Sequence, residues 1–175
     1  MILRSSPASP FGRKVKIAAH VLGLLDRVKI VNADTLNPED DLRQQNPLGK
    51  MPTLVLPNGT AVYDSPVIME FLQDFAGTKR LIPESGMARI KALTQIALAD
   101  GIMDAGLAVS NESRWREPHQ HVEKWLVYQR EKMMRGFAAF AHDLPDPNVT
   151  DAVTIGLAVA CDYVDWRKQI DWRGP

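Results

Sequence analysis

Ser9 is the first residue of this 175-residue chain whose type and position could support chemistry, because Pro10 follows it directly. Serine is a preferred N-cap of helices and proline is favoured at the first helical position, so the pair predicts a helix start and needs no further role. A helix start also carries a partial positive charge and free N–H groups, which lower the pKa of a thiol held there from roughly 8.5. The Ser9 hydroxyl could therefore donate a hydrogen bond to the thiolate of a ligand.

Met51 and Pro52 form a second candidate, just before a predicted strand that begins at Thr53. One interpretation is a proline-initiated strand with a trans bond, since only about 5–6% of X–Pro bonds are cis. If the Met51–Pro52 bond is cis, the turn exposes the backbone N–H and C=O of Met51 beside Ser9, where they could pair with an extended peptide. Lys50 taken alone is typical of a solvated surface charge.

Asp64 and Ser65 form the third candidate, again followed by a proline at a predicted helix start. An N-cap with an acid that suits the helix dipole explains the pattern structurally. The charges permit a second interpretation, because an α-amino acid head group carries both a carboxylate and an ammonium. The helix start and the Ser65 hydroxyl suit the carboxylate, and Asp64 suits the ammonium. The pair is therefore a candidate receptor for a zwitterion.

Three segments, taken in their order and spacing, carry a resemblance that no single one has. Residues 9–15 read Ser-Pro-Phe-Gly-Arg-Lys-Val, residues 46–54 read Asn-Pro-Leu-Gly-Lys-Met-Pro-Thr-Leu, and residues 64–68 read Asp-Ser-Pro-Val-Ile. The chain resembles the cytosolic glutathione transferase superfamily, in particular bacterial members with a serine at the site. The resemblance extends from Met1 to about Arg173. It implies an N-terminal thioredoxin-like domain followed by an all-helical domain, usually in a symmetric homodimer.

The resemblance also implies roles for individual residues. Ser9 matches the residue that activates the thiol of glutathione, which is a co-substrate and not a permanently bound cofactor. The expected glutathione-binding residues are Lys50 at the glycyl end, Met51 and the cis proline Pro52 at the cysteinyl part, and Asp64 and Ser65 at the γ-glutamyl head. The residues expected in the substrate pocket are Phe11, Met103, Leu107 and Trp115.

The expected reaction is attack of the glutathione thiolate on a soft electrophile. Some classes have cysteine where Ser9 stands, and its absence argues against a thiol–disulfide oxidoreductase. Two alternatives stay open: a non-enzymatic partner-binding protein on the same fold, and a glutathione-dependent peroxidase, isomerase or dehalogenase. Relatives continue with another helix after the Asp-Trp-Arg of residues 171–173. Either the helical domain lacks its usual last helix, or the sequence is not the whole gene product.

The elements that must position these residues follow from hydrophobic periodicity. Before residue 80, the predicted order is β-α-β-loop-β-β-α, with a hairpin at Asn58-Gly59. In the first helix, Arg13, Lys14, Lys16 and His20 fall largely on the polar side. Three helices are expected afterwards, at roughly 85–110, 118–144 and 151–166. The expected domains are 1–78 and 85–175, joined by a linker at 81–86.

Composition sets outer bounds on the function. Lys plus Arg and Asp plus Glu both number 21, so the basic excess typical of nucleic-acid binding is missing. A single cysteine, Cys161, excludes a disulfide scaffold and favours a reducing, cytoplasmic location. His119 and His121 have no partners at metal-ligand spacing, so no metal site is expected. No signal peptide or membrane-spanning run is expected either.

Overall fold

The computed structural model describes residues 1–174 and begins with a four-stranded sheet in the order β2-β1-β3-β4. The strands are β1 Ile2–Ser5, β2 Lys29–Asn32, β3 Thr53–Val55 and β4 Ala61–Val62. β1 and β2 are parallel, and the other two pairs are antiparallel. The helices of this half are α1 Pro10–Val21, the short α2 Leu42–Gln45, and α3 Ser65–Phe75. This is the thioredoxin-like arrangement that the order of elements predicts.

The core of this half lies between the sheet and the helices α1 and α3. Leu3 in β1 stands opposite Leu54 in β3, and both side chains are fully buried. The helices add Val15, Ala18, Ile68 and Leu72, all with no exposed surface. Burying each large aliphatic side chain contributes roughly 1.5–3 kcal/mol. This packing orients the first turns of α1 and α3, which carry two of the candidate sites.

The second half consists of three helices, α4 Gly86–Trp115, α5 Glu123–His142 and α6 Ala152–Arg167. α4 packs against both α5 and α6. Small residues let the helices approach, since a Cβ on Gly156 would lie 3.2 Å from that of Ala99. α4 is long and apolar enough to cross a membrane by its length and composition, and the core helices of water-soluble proteins share these properties.

The first two residues of the segment predicted as a linker, 81–86, belong to the core, and the last three are exposed. Leu81 and Ile82 are each 1% exposed. The side-chain oxygen of Gln73 accepts hydrogen bonds from their two N–H groups, at 2.8 and 2.7 Å. The N–H of Ala152, at the start of α6, donates to the carbonyl of Leu81 at 3.0 Å. The connection therefore fastens α3 to α6, which a solvated linker would not do.

Several sequence-based expectations differ from the structure. Lys14 was expected on the polar side of α1, but its side chain is 1% exposed because it pairs with Asp100 of α4. α4 reaches Trp115 and so is longer than predicted. α5 begins at Glu123, because Pro118–Gln120 forms a separate 3-10 turn.

Candidate functional site

Ser9 is the N-cap of α1, as predicted, and is half-buried. Its Oγ accepts a hydrogen bond from the N–H of Gly12 at 3.1 Å. Within residues 1–174 this hydroxyl donates to no protein acceptor in the structure. A hydroxyl that accepts from the helix still has its own hydrogen available. Ser9 can therefore cap α1 and donate to an anion at the same time.

Gly12 allows α1 to start close to the end of β1. Its backbone is buried, and a Cβ built there would overlap Oγ of Ser5 and lie 3.4 Å from Oγ of Ser9. Ser5 is itself 1% exposed, and its own Cβ would lie 3.1 Å from the added Cβ. Glycine is thus needed at position 12 for close approach. The packing places the capping end of α1 directly after β1.

The turn at residues 50–52 supplies free backbone groups. The Met51–Pro52 bond is cis. Asn46, 1% exposed, donates from Nδ2 to the carbonyl of Lys50 at 3.0 Å and to Oγ1 of Thr53 at 3.2 Å. For the described part of the chain, the structure gives no hydrogen bond to the backbone N–H or C=O of Met51. These two groups have the arrangement that pairs with an extended peptide.

Asp64 is the N-cap of α3, and its carboxylate accepts the N–H of Ser65. The peptide bond between Tyr63 and Asp64 is also cis. Ser65 is the first helical residue; it is fully buried, and its Oγ has no partner among residues 1–174. An unsatisfied buried hydroxyl costs free energy, so such groups usually have a reason to be there. The exposed carboxylate of Asp64 next to an unpaired hydroxyl suits an ammonium and a carboxylate.

α4 adds two carboxylates that the sequence analysis did not assign. Burial raises the pKa of Asp100, while the ammonium of Lys14 opposes the rise and the charges of Asp64 and Asp104 add to it. Asp104 is exposed on α4, but partial desolvation raises its pKa, while the charge of Lys50 opposes the rise and that of Asp64 adds to it. Their i, i+4 spacing places both on one face of α4, a signal present in the sequence.

Asp64, Asp100 and Asp104 therefore share one electrostatic environment with Lys14 and Lys50. Lys14 is committed to Asp100, and Lys50 is an exposed residue of the turn. The remaining negative charge favours a ligand with an ammonium group. Asp64 comes from the start of α3 and the other two carboxylates come from α4, so both halves of the chain contribute to this region.

The expected substrate-pocket residues differ in their burial. Met103 is fully buried and its side chain belongs to the hydrophobic core, so its place in a pocket lining stays a prediction. Phe11 is partly buried against the core, and Leu107 is half-buried on α4. Trp115 is 67% exposed at the end of α4 and lies beside the guanidinium of Arg114. Two clefts in the described residues lie elsewhere, along α3.

The sequence also matches a known family. The family described as "Glutathione S-transferase, N-terminal domain" matches residues 8–74. The uncharacterised GST-like protein YibF of Escherichia coli K12 is 36% identical over 172 residues, covering 96% of this chain and 84% of that protein.

Two solved structures have the same fold over nearly the whole chain. A glutathione transferase family member from Pseudomonas fluorescens Pf-5, with bound glutathione, is 40% identical with a TM-score of 0.90, covering 98% of this chain and 86% of that one. A glutathione S-transferase from Methylobacillus flagellatus KT, with glutathione bound, is 32% identical with a TM-score of 0.89, covering 98% and 87%. The chain thus belongs to the glutathione transferase family.

Proposed function

We propose that this protein is a glutathione transferase, which binds glutathione and activates its thiol as a thiolate for attack on a soft electrophile. The observation that carries the proposal is the Ser9 hydroxyl, held at the start of α1 with its hydrogen available. Relatives with 40% and 32% identity hold glutathione in their structures. The reaction class is transfer of an alkyl or aryl group, as in detoxification.

The chemistry asked of Ser9 is stabilisation of charge. The thiol proton leaves to solvent, and the Ser9 hydroxyl donates to the sulfur that remains. The free N–H groups of the first turn of α1 add a favourable field, which lowers the pKa of the thiol. The thiolate then forms a carbon–sulfur bond with the electrophile as the leaving group departs with its electron pair. Ser9 itself forms no covalent bond.

The proposed binding mode of glutathione uses polar groups of the site, most of which have no hydrogen-bond partner among the described residues. The cysteinyl part of glutathione pairs with the backbone N–H and C=O of Met51, beside the buried ring of Pro52. The γ-glutamyl carboxylate accepts from the hydroxyl of Ser65, and the ammonium lies between Asp64 and Asp104. The ammonium of Lys50 is available for the glycyl carboxylate.

The proposal for the electrophile side involves fewer residues. Phe11, near the start of α1, and Leu107 on α4 supply apolar surface, with Trp115 at the far end of the helix. The peroxidase, isomerase and dehalogenase alternatives share the thiolate and differ only here. A panel of soft electrophiles, hydroperoxides and haloalkanes, assayed with glutathione, distinguishes them.

The expected partner is a second copy of this chain. Arg89 of α4 forms an ion pair with Glu70 of α3 at 2.7 Å, so these helices lie side by side. The two helices also expose large apolar side chains: Val67 is 51%, Met87 77% and Ile90 53% exposed. Such surface suits an interface between protomers. A cytoplasmic location belongs to the same proposal, because the co-substrate is a free thiol; no nucleic acid or membrane partner is proposed.

The first test is a pH titration of bound glutathione, followed by the ultraviolet absorbance of the thiolate. In the wild type we expect a thiol pKa well below that of free glutathione, and in Ser9→Ala a pKa shifted back towards the free value, with the field of the helix start accounting for any remaining decrease. The loss of the cap costs about 1 kcal/mol of stability. Ser6→Ala is the matched control, because its side chain has no part in the site. Saturable binding of glutathione with an unshifted thiol pKa would mean that the protein binds glutathione without activating it. No binding of glutathione would favour the partner-binding alternative.

A further inference from the structure

Arg4 is a charged residue almost completely inside the protein. It lies in β1 and is 6% exposed. One guanidinium nitrogen donates to a carboxylate oxygen of Asp40 at 2.7 Å, and the other donates to Oε1 of Gln45 at 2.9 Å. The second nitrogen also pairs with the carboxylate of Asp41. Buried charges need partners of this kind, because removing the partner leaves an uncompensated charge.

All these side-chain partners lie in one segment, residues 34–50, which we name the α2 arm. The arm leaves β2 and returns to β3, and only Leu42 and Asn46 within it are buried. Its apolar attachment to the rest of the protein is therefore small. The ends of the arm are attached to β1 through the backbone: the N–H of Ala33 donates to the carbonyl of Ser5 at 3.0 Å, and Thr53 stands in register with Arg4. Arg4 attaches the middle of the arm to β1 through its side-chain contacts with Asp40, Asp41 and Gln45.

The carboxylate of Asp40 continues this attachment into the backbone of the arm. It accepts the N–H of Asp34 and the N–H of Leu42, each at 2.8 Å. These hydrogen bonds and the guanidinium of Arg4 hold the pKa of Asp40 below its usual range. The charged form of Asp40 is thus the form around which the arm is folded.

The arm ends at the turn that carries Lys50 and Met51. Gln45, which accepts from Arg4, is followed directly by Asn46. Asn46 accepts the N–H of Leu48 at 3.0 Å and donates to the carbonyl of Lys50 at 3.0 Å. The guanidinium of Arg4 is therefore connected to the turn at 50–51 by its hydrogen bond to Gln45, the peptide bond from Gln45 to Asn46, and the hydrogen bond from Asn46 to Lys50, although Arg4 does not contact that turn.

We propose that Arg4 is a positioning residue for the tripeptide thiol: it orders the α2 arm, and through Asn46 it holds the backbone of Met51 and the ammonium of Lys50 where a peptide can bind. This inference rests on the proposed function. The planar fork of arginine meets two carboxylates and an amide at once, which the point charge of lysine cannot do. Arg4 acts on binding and leaves the Ser9 end of the site unchanged.

The test compares Arg4→Lys and Arg4→Met with the wild type. The matched control is Arg80→Met, because Arg80 is exposed and donates to a backbone carbonyl outside the arm. Amide hydrogen exchange of the free proteins reports the order of the arm. Calorimetry with glutathione reports affinity, and the thiolate absorbance titration reports the pKa of the bound thiol.

We expect faster exchange confined to residues 34–51 and an affinity for glutathione that is roughly tenfold weaker, about 1.4 kcal/mol. The pKa of the bound thiol should stay unchanged, which separates positioning from thiol activation and from a general loss of structure. Unchanged exchange in the arm, or unchanged affinity despite faster exchange, would overturn the inference. If Arg4→Met does not fold, Asp41→Asn provides the same comparison from the exposed side of the network. A wild type that binds no glutathione would instead overturn the proposed function, and with it the role of Arg4 in binding.

Discussion

Gly12 illustrates how much of the site depends on single side chains, or on their absence. A methyl group at this position would overlap the buried hydroxyl of Ser5 and would come within 3.4 Å of Oγ of Ser9. The residue is therefore selected by contact between α1 and β1. The same contact explains why Ser9 stands at one fixed distance from the end of the strand.

We expect Gly12→Ala to destabilise the protein by about 1–3 kcal/mol, the usual cost of forcing extra volume into a packed core. Ser5→Gly in the same chain should recover much of the loss, because it removes the atoms that the new Cβ meets. Chemical denaturation measures both variants. Gly101→Ala is the control: it lies in α4 with nothing within 4 Å of an added Cβ, and should be neutral or slightly stabilising. A double variant no more stable than Gly12→Ala would contradict this explanation.

The protonation state of Asp104 is expected to make stability and glutathione binding depend on pH. Partial desolvation raises the pKa of Asp104, so the folded protein holds this proton more tightly than the unfolded chain does. The stability that this group contributes is therefore present at acid pH and is lost as the pH rises through the raised pKa. At neutral pH its charge costs stability and is available to an ammonium.

We expect Asp104→Asn to leave stability at pH 7 unchanged or slightly higher while weakening the affinity for glutathione several-fold. In the wild type, affinity should increase as the pH rises through the raised pKa of Asp104, because the carboxylate that binds the ammonium forms there. The variant should show a flatter profile. Calorimetry over this pH range gives both curves, and parallel curves would remove Asp104 from the ammonium site.

At the scale of elements, α1 is the point where the two halves of the chain meet. Lys14 pairs with Asp100 on α4, and the neighbouring Arg13 pairs with Asp162 on α6. The first pair is buried and the second is exposed. Because exposed pairs contribute little, the Lys14 pair is the one expected to matter for stability. The proposed boundary between domains 1–78 and 85–175 therefore separates units that share a packed interface.

Lys14→Met should cost about 3 kcal/mol, the low end for a broken buried pair, because the carboxylate of Asp100 keeps some contact with water. Lys14→Met combined with Asp100→Leu should regain most of that loss, since an apolar pair of similar volume needs no compensation for desolvation. Urea denaturation of the two variants and the wild type provides the comparison. A double variant as unstable as the single one would show that packing, not charge, dominates this contact.

At the scale of the whole molecule, the exposed apolar side chains of α3 and α4, Val67, Met87 and Ile90, are proposed to form the interface between two protomers. Ile90→Glu places a charge in the proposed interface and should convert a dimer to a monomer with little change in the stability of the fold. Sedimentation equilibrium measures the change in mass. Leu144→Glu, at a residue that is 67% exposed in the loop after α5, is the matched control and should not alter the mass. A wild type that is monomeric, or an Ile90→Glu variant that remains dimeric, would contradict the proposal.

Local patterns were sufficient for the elements and for most of the helix ends. Ser9 caps α1 as predicted, because capping needs only a side chain and the next three backbone groups, all close in sequence. At α3 the cap is Asp64, one residue before the serine of the Ser-Pro pattern. The hairpin at Asn58-Gly59 and the position of α6 after Asp151 are confirmed for the same reason. The error at the start of α5 has a local cause too, since Pro118 begins a 3-10 turn that periodicity alone does not distinguish from a helix.

The fold class and the three motifs can be predicted from the sequence, because each depends on short runs of adjacent residues, and the resemblance to the family rests on those motifs. The environment of the charges depends instead on how distant segments pack. Arg4 meets Asp40 from 36 residues away, and Lys14 meets Asp100 from 86 residues away. Whether a charged side chain is solvated or buried depends on such a partner, and no local pattern specifies which distant carboxylate the fold brings to it. That is why Lys14 was expected on the surface, and why Asp100 and Asp104 gained a place in the site only once α4 was packed against α1.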